Sequence, residues 1–180
     1  MASIIKVNEY KDFGNNAIMT SDGSGVITPN ADGIKNVPNF SANKTSGSIS
    51  FSVDTFTKIT LDNELYDTDD AYDTTTGRFT VPSGKDGKYS FSAHLALYEE
   101  SNNNMTGTNM GFYVNGSLAI YLPDRYVAMI GNYKLSIITA DINLSAEDYI
   151  ELWATVYSTG TARAEVGASF TRFSGFKLIE

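Results

Sequence analysis

The stretch Tyr72–Phe91, YDTTTGRFTVPSGKDGKYSF, decides the fold of this chain and reads as strand, turn, strand. Arg78 and Thr80 point one way and Phe79 and Val81 the other. Pro82 ends this strand, because it has no N–H to give to a ladder. Ser83–Gly87 is turn chemistry, with two glycines around Lys85 and Asp86. Lys88–Tyr98 is the longest clean alternation in the sequence. Tyr89, Phe91, Ala93, Leu95 and Leu97 share one face, and Lys88, Ser90, Ser92, His94 and Ala96 share the other.

Working outward, the same period recurs. Ser48–Val53 places Ile49, Phe51 and Val53 on one side. Thr57–Leu61 and Glu64–Tyr66 read as two short strands. Asn109–Val114 and Ser117–Leu122 form a hairpin, because Asn115-Gly116 supplies the positive φ of a two-residue turn. Tyr133–Ile142 sets Leu135, Ile137 and Thr139 opposite Lys134, Ser136 and Ile138. Tyr149–Tyr157 sets Ile150, Leu152, Ala154 and Val156 opposite Tyr149, Glu151, Trp153 and Tyr157. Ala168–Ile179 is the last strand. About ten short strands with no amphipathic helix predict an all-β jelly-roll sandwich. Residues 1–37 have a different texture: pieces at Ile4–Val7, Ala17–Thr20 and Val26–Thr28 are separated by glycine and asparagine turns. Each is too short to build a core, so either an unstructured tail or a short extended segment that docks on something is expected ahead of a domain at 38–180.

The 180 residues carry a formal charge of −8, which argues against nucleic acid as a partner. There is no cysteine and one histidine, which excludes a disulfide framework, a thiolate nucleophile and a multi-histidine metal site within one chain. No stretch approaches the length of a membrane-spanning helix, and the start lacks the apolar run of a signal peptide. Synthesis in the cytoplasm without a secretion address is the expectation. The five Asn-x-Ser/Thr sequons are then products of composition.

With these strands placed, residues 38–180 resemble the globular head of complement component one, subcomponent q, a jelly roll shared with the tumour necrosis factor superfamily. Four segments carry the likeness: Pro38-Asn39-Phe40-Ser41-Ala42, Tyr72-Asp73 through Gly77-Arg78-Phe79-Thr80-Val81-Pro82, Gly87-Lys88-Tyr89-Ser90-Phe91, and Phe173-Ser174-Gly175-Phe176-Lys177-Leu178. Asn115-Gly116 matches the family's mid-domain hairpin. The resemblance implies a homotrimer without enzymatic activity. The chain lacks a collagen-like stalk and cysteines, which sets it apart from complement proteins and secreted cytokines.

The leader resembles something else. Lys6-Val7-Asn8, Gly14-Asn15 and Met19 through Gly25 are similar to the start of bacteriophage tail-fibre and virion structural proteins. Leu65-Tyr66-Asp67-Thr68-Asp69-Asp70-Ala71-Tyr72-Asp73 is similar to the phage form of the head. Together the two halves imply a phage virion surface protein: residues 1–37 attach to other virion proteins and carry a trimeric knob for decoration, adhesion or receptor binding.

Candidate sites follow from residue type. Tyr113, Tyr121, Tyr149, Trp153 and Tyr157 lie opposite or partly opposite the core faces of their strands, in a chain with 11 tyrosines and 10 phenylalanines. Outward aromatics suit a subunit interface. Asp67, Asp69, Asp70 and Asp73 form the densest acidic cluster, and calcium is the cation such oxygens would suit, although the spacing is not that of an EF-hand. No other cofactor is implied. Asn102, Asn103, Asn104, Asn109 and Tyr126, with Thr106, Tyr121 and Tyr133, offer amides and stacking faces for a host-surface glycan or protein. His94 is the sole imidazole, but no nucleophile elbow or phosphate loop accompanies it. Glu99-Glu100 and Glu147-Asp148 read as surface charges. A glycan-binding module is the alternative to a structural knob, and a glycan-degrading enzyme ranks below both.

Overall fold

A computed structural model describes residues 9–30, 36–100, 105–125, 133–167 and 169–179. All of their regular structure is strand: β1 (Glu9–Lys11), β2 (Ala17–Ser21), β3 (Ile27–Pro29), β4 (Asn39–Asn43), β5 (Ile49–Phe51), β6 (Thr57–Lys58), β7 (Asn63–Asp67), β8 (Tyr72–Asp73), β9 (Arg78–Thr80), β10 (Gly87–Glu99), β11 (Gly107–Val114), β12 (Ser117–Arg125), β13 (Tyr133–Leu144), β14 (Tyr149–Tyr157), β15 (Ala162–Ala164) and β16 (Thr171–Lys177). Two compact units result, residues 1–37 with 179–180, and residues 38–178. The first holds a three-stranded antiparallel meander, β1-β2-β3.

The larger unit is a jelly-roll sandwich of two antiparallel sheets. The seven-stranded sheet runs β5-β15-β10-β16-β4-β7, with β13 on the other side of β10. β10 is its spine. It pairs with β13 along its length, from Gly87↔Leu144 to Tyr98↔Tyr133. Its other edge is shared between β16 and β15. The six-stranded sheet runs β12-β11-β14-β9-β8, with β6 on β14. The predicted inward face of β10 is the one buried: Tyr89, Phe91, Ala93, Leu95 and Leu97. Ile150, Leu152, Ala154 and Val156 of β14 meet it from the opposite sheet.

The family-like motifs turn out to be packing instructions. Tyr72 stacks on Phe40 with ring centroids 5.0 Å apart, and Phe40 stacks on Phe79 at 4.9 Å and meets Phe173 edge-on at 4.9 Å. These offset and edge-to-face arrangements are the favourable ones for aromatic quadrupoles. Gly175 lies under this cluster, where an added Cβ would run into the ring of Phe91 and come within 3.1 Å of Phe40. Gly77 sits at φ +69 in the turn into β9, which favours glycine. Asn115 at φ 52 and Gly116 at φ 77 form the expected hairpin turn.

Some expectations need correction. Thr57–Leu61 is strand only at Thr57–Lys58, although Ile59 and Leu61 are fully buried. Val53 does not join Ile49 and Phe51 on a face, because the chain turns at Asp54 (φ 53) and leaves Val53 exposed. The last strand is confined to Thr171–Lys177. β1, β8 and β15 were not expected; each has two or three residues, too few to show a period. Ile4–Val7 lies outside the described residues.

Candidate assembly and binding surfaces

The outward face of the six-stranded sheet is organised around a buried carboxylate. Glu151 of β14 has a side chain only 3% exposed. Its Oε1 accepts from Arg78 Nε of β9 at 2.7 Å and from Lys58 Nζ of β6 at 3.2 Å, and its Oε2 accepts from Trp153 Nε1 at 3.0 Å. Burial alone would raise its pKa. The bonds from Arg78, Trp153 and Lys58 outweigh that and hold the carboxyl below the ordinary glutamate value. The guanidinium of Arg78 also lies 4.1 Å from the ring centroid of Tyr149. Three strands are thus tied by one ion.

Beside this network is an aromatic cluster. Tyr113 and Trp153 have centroids 5.0 Å apart, and Phe56 lies 6.0 Å from Tyr113 and 6.3 Å from Tyr121. Gly111 stands between Tyr121 and Trp153 in the ladder. A Cβ there would meet Leu118 Cδ1, so the missing side chain lets Leu118 fold over the strand. All five rings predicted for an interface thus engage neighbours of their own chain: Tyr113 and Trp153 pack on each other, Tyr121 lies against Phe56, and Tyr149 meets Arg78. Tyr157 accepts a hydrogen bond from Asn109 Nδ2 at 2.7 Å. Tyr121 remains about half exposed. Phe56 was missed in the sequence because it stands alone between turns.

The outward face of the seven-stranded sheet differs. Its middle carries small polar groups: Ser92 of β10 pairs with Ser174 of β16, which pairs with Ser41 of β4, and Ser41 is fully buried. Phe176 and Tyr66 rise on one side of this serine bed, 38% and 50% exposed. His94 pairs with Arg172 on one side and with Ile137 on the other. Arg172 Nε donates to Ser41 Oγ at 2.7 Å. Burial, then the neighbouring Arg172 charge, lower the His94 pKa from its ordinary value of 6.5.

At the sandwich edge, β12 and β13 each pair on one side only. Thr108 Oγ1 shares a 2.9 Å hydrogen bond with Ser136 Oγ, and Lys134 pairs with Asp124, so the two edges adjoin. β13 turns Ser136, Ile138 and Leu144 inward and leaves Tyr133, Leu135 and Ile137 outward, the latter two 56% and 54% exposed. Leu118, Tyr121 and Leu122 of β12 are also exposed. Sequence alternation had placed Leu135 and Ile137 on one face without showing that this face is bare.

The structure does not gather the acidic loop into a cation site. Asp67 Oδ2 accepts the Tyr72 N–H at 2.8 Å, and burial raises its pKa, which disfavours the ion. Asp73 is committed to its own turn, accepting from Thr75 N and Thr76 Oγ1. Asp69 and Asp70 stand at positive φ in the loop. Among the described residues no three acidic or histidine side chains converge as metal ligands. Asn109 lies in the expected hairpin strand but is corrected as a ligand-facing amide: it is buried in β11, donating to Tyr157 and accepting the Asp124 N–H at 3.4 Å. Asn102, Asn103, Asn104 and Tyr126 lie outside the described residues. Glu99, read as a surface charge, is fully buried. Glu100 pairs with Arg163 at 3.0 Å.

No family model and no curated protein matches this sequence. Solved structures do match. The globular domain of zebrafish complement 1qA is 16% identical, with a TM-score of 0.51 over 78% of this chain and 97% of that one. Murine APRIL is 12% identical, with a TM-score of 0.54 over 78% and 98%. The Eiger TNF of S. frugiperda is 14% identical, with a TM-score of 0.51 over 78% and 91%. The fold is therefore that of the complement head and tumour necrosis factor jelly rolls.

Proposed function

We propose that this chain is a non-enzymatic, homotrimeric surface head, displayed on a bacteriophage virion as a tail-fibre knob or capsid decoration. The observation that carries the assembly is the bare apolar edge of β12 and β13. Leu135 and Ile137 lie bare on β13 and Leu122 on β12, and among the described residues each of these strands is paired along one edge only. A long apolar edge in a monomer invites aggregation, and a closed ring removes it. Ser92 and Ser174 on the other flank supply a complementary partner, since small side chains let a neighbour's edge approach closely beside Phe176. Edge-to-bed contact is heterologous, and it closes as a ring when successive copies are related by a rotation that divides a full turn. Three copies is the number implied by the family resemblance.

The virion assignment rests on the phrases in residues 1–37 and 65–73 that resemble phage structural proteins. In this reading residues 1–37 hold other virion proteins. Light scattering over a wide concentration range tests the assembly: a persistent mass of three chains supports it, and a concentration-independent monomer refutes it. Deleting residues 1–37 should abolish virion incorporation and leave the head folded. Normal incorporation would refute the attachment role.

One observation favours a second reading, glycan binding. Tyr121 and Phe56 belong to the aromatic cluster with Tyr113 and Trp153, and Trp153 bonds to the Glu151 that Lys58 and Arg78 share; ring faces on a sheet that carries charged groups suit a sugar. A glycan array on the full chain, with Tyr121→Ala as the control, separates this from a purely structural role.

A further inference from the structure

A cleft of about 200 Å³ in the larger unit plays no part in the surfaces described above, and Ser48, Tyr98, Glu100, Arg163, Glu165 and Val166 line it. Strand pairing explains why these residues meet. Arg163 of β15 stands opposite Tyr98 of β10, and Tyr98 stands opposite Tyr133 of β13. The rings of Tyr98 and Tyr133 have centroids 6.1 Å apart. Backbone bonds carry the pairing past the ends of β10 and β15: Glu165 N donates to Ala96 O at 2.8 Å and Glu100 N to Thr161 O at 3.0 Å. Thr171 Oγ1 also donates to Glu165 O at 2.6 Å. Both acidic residues of the cleft are thus presented from a fixed backbone. The cleft lies roughly 20 Å along β10 from Ser92, at about 3.4 Å per residue.

The charges in the cleft are unequally committed. Arg163 is engaged. Its Nε lies 3.0 Å from Glu100 Oε1, an ion pair without hydrogen-bond alignment, and its Nη1 donates to Ser48 Oγ at 3.4 Å. Glu165 is not engaged: among the described residues its carboxylate has neither a hydrogen bond nor an ion pair. Its field reaches Tyr133, whose pKa is raised by burial and then by this charge. Two carboxylates against one guanidinium leave the cleft net negative, with the uncommitted one beside a pair of tyrosines. A cation gains from all of this: a counter-ion in Glu165, an aromatic wall, and Val166 for an aliphatic stem to lie against. An anion could reach Arg163 only in competition with Glu100 and against the field of Glu165. A neutral polyol would find hydrogen bonds and draw nothing from the net charge.

We propose that this cleft binds a primary ammonium group of the lysine type, with Glu165 as its counter-ion, the Tyr98 ring as its wall and Val166 against its stem. Arg163 is a positioning residue: paired with Glu100 and Ser48, it closes one side of the cleft and leaves Glu165 uncommitted. The ammonium group belongs either to a side chain of a partner protein or to a small free amine, and the chemistry of recognition is the same for both. The site does not depend on the trimer or on the virion reading.

The test titrates isotope-labelled full chain with acetyl-lysine amide and follows the backbone amide signals by NMR. Saturable shifts at Tyr98, Arg163 and Glu165 are expected, and acetyl-norleucine amide, which has the stem without the charge, should give none. Glu165→Gln keeps the shape and should weaken binding about fivefold. Tyr98→Leu should weaken it about threefold. The absence of saturable shifts, or an unchanged affinity in Glu165→Gln, would overturn the site. Equal binding of acetyl-glutamate amide or of glucose would overturn it too, by making the cleft an anion or polyol site. n-Butylammonium separates the two sources: binding as tight as that of acetyl-lysine amide assigns a free amine, and weaker binding assigns a protein side chain. Light scattering on the same sample keeps this proposal apart from the trimer. A monomer that binds the probe removes the trimeric head and leaves the site, whereas a trimer that does not bind removes the site and leaves the head.

Discussion

Replacing Glu151 by Gln should destabilise the head by about 2 kcal/mol at neutral pH. The substitution keeps the volume and removes the charge that Arg78 and Lys58 share. Breaking a fully buried ion pair costs ~3–5 kcal/mol, because the partner is stranded without water. Here the cations are partly wet, with side chains 40% and 30% exposed, so most of that penalty is relieved by rehydration. What remains is the Trp153 N–H, together with weaker bonds from the two cations. An amide can serve that N–H only by turning its NH₂ toward them. An unmatched buried donor costs ~1–3 kcal/mol. For a domain of this size about 2 kcal/mol corresponds to roughly 4–8 °C in Tm. Trp153 is the only tryptophan, so its emission reports on the site during thermal or urea unfolding. The pH dependence has a fixed sign. A carboxyl whose folded pKa lies below its ordinary 4.5 contributes stability above that pH and loses it as pH falls through the folded value. The gap between wild type and Glu151→Gln should thus be full at pH 7 and close as pH falls below the ordinary 4.5 and through the folded value. A gap under about 0.5 kcal/mol at pH 7, at equal protein concentration, would show that the three-strand tie is an ordinary surface pair.

Gly175→Ala should lower stability by about 1–3 kcal/mol through overpacking, since its new methyl runs into Phe91 and approaches Phe40; unchanged unfolding would mean that the aromatic core gives way freely. His94 should titrate below 6.5 by NMR, and because its folded pKa is depressed, acidification from pH 7.5 to 5.5 should reduce stability. Arg172→Gln should bring the His94 pKa back up, and no movement would assign the whole shift to burial. Leu135→Asp with Ile137→Asp should leave the fold intact by circular dichroism and convert the oligomer to monomer, whereas a retained oligomer would place the interface elsewhere.

The fold was legible because its strands alternate strictly and its motif residues have one packing job each. β10 and β14 bury the faces their sequences announce, and Gly77 and Gly175 stand where only a hydrogen fits or where φ is positive. The surfaces were less legible, for a physical reason. Alternation separates two faces of a strand but cannot tell which outer face meets another chain. Trp153 and Tyr113 read as free outward aromatics, yet they find Phe56 and each other across strands whose register the sequence does not reveal. Leu135 and Ile137 read as a second apolar row on a strand with Ile138 and Ile142, and only the choice of which face β13 turns inward makes them bare. Glu151 looked like one more polar residue, because its partners lie 73 and 93 positions away.

The two outer faces of the sandwich therefore have different physical characters. On the six-stranded sheet the aromatic rings and charges are largely satisfied within the chain, so that face is preorganised and offers a ligand mainly its rim at Tyr121. On the seven-stranded sheet and along its β13 edge, apolar side chains end in solvent opposite a floor of serines. A rigid, satisfied face can bind without rearranging, while an unsatisfied one gains most from being covered. If assembly uses β13 and the serines of the seven-stranded sheet, as proposed above, and recognition uses the opposite sheet, Tyr121→Ala and the paired β13 substitutions act independently, the first without changing mass and the second without changing the emission of Trp153. Coupling between them would mean that one face serves both roles.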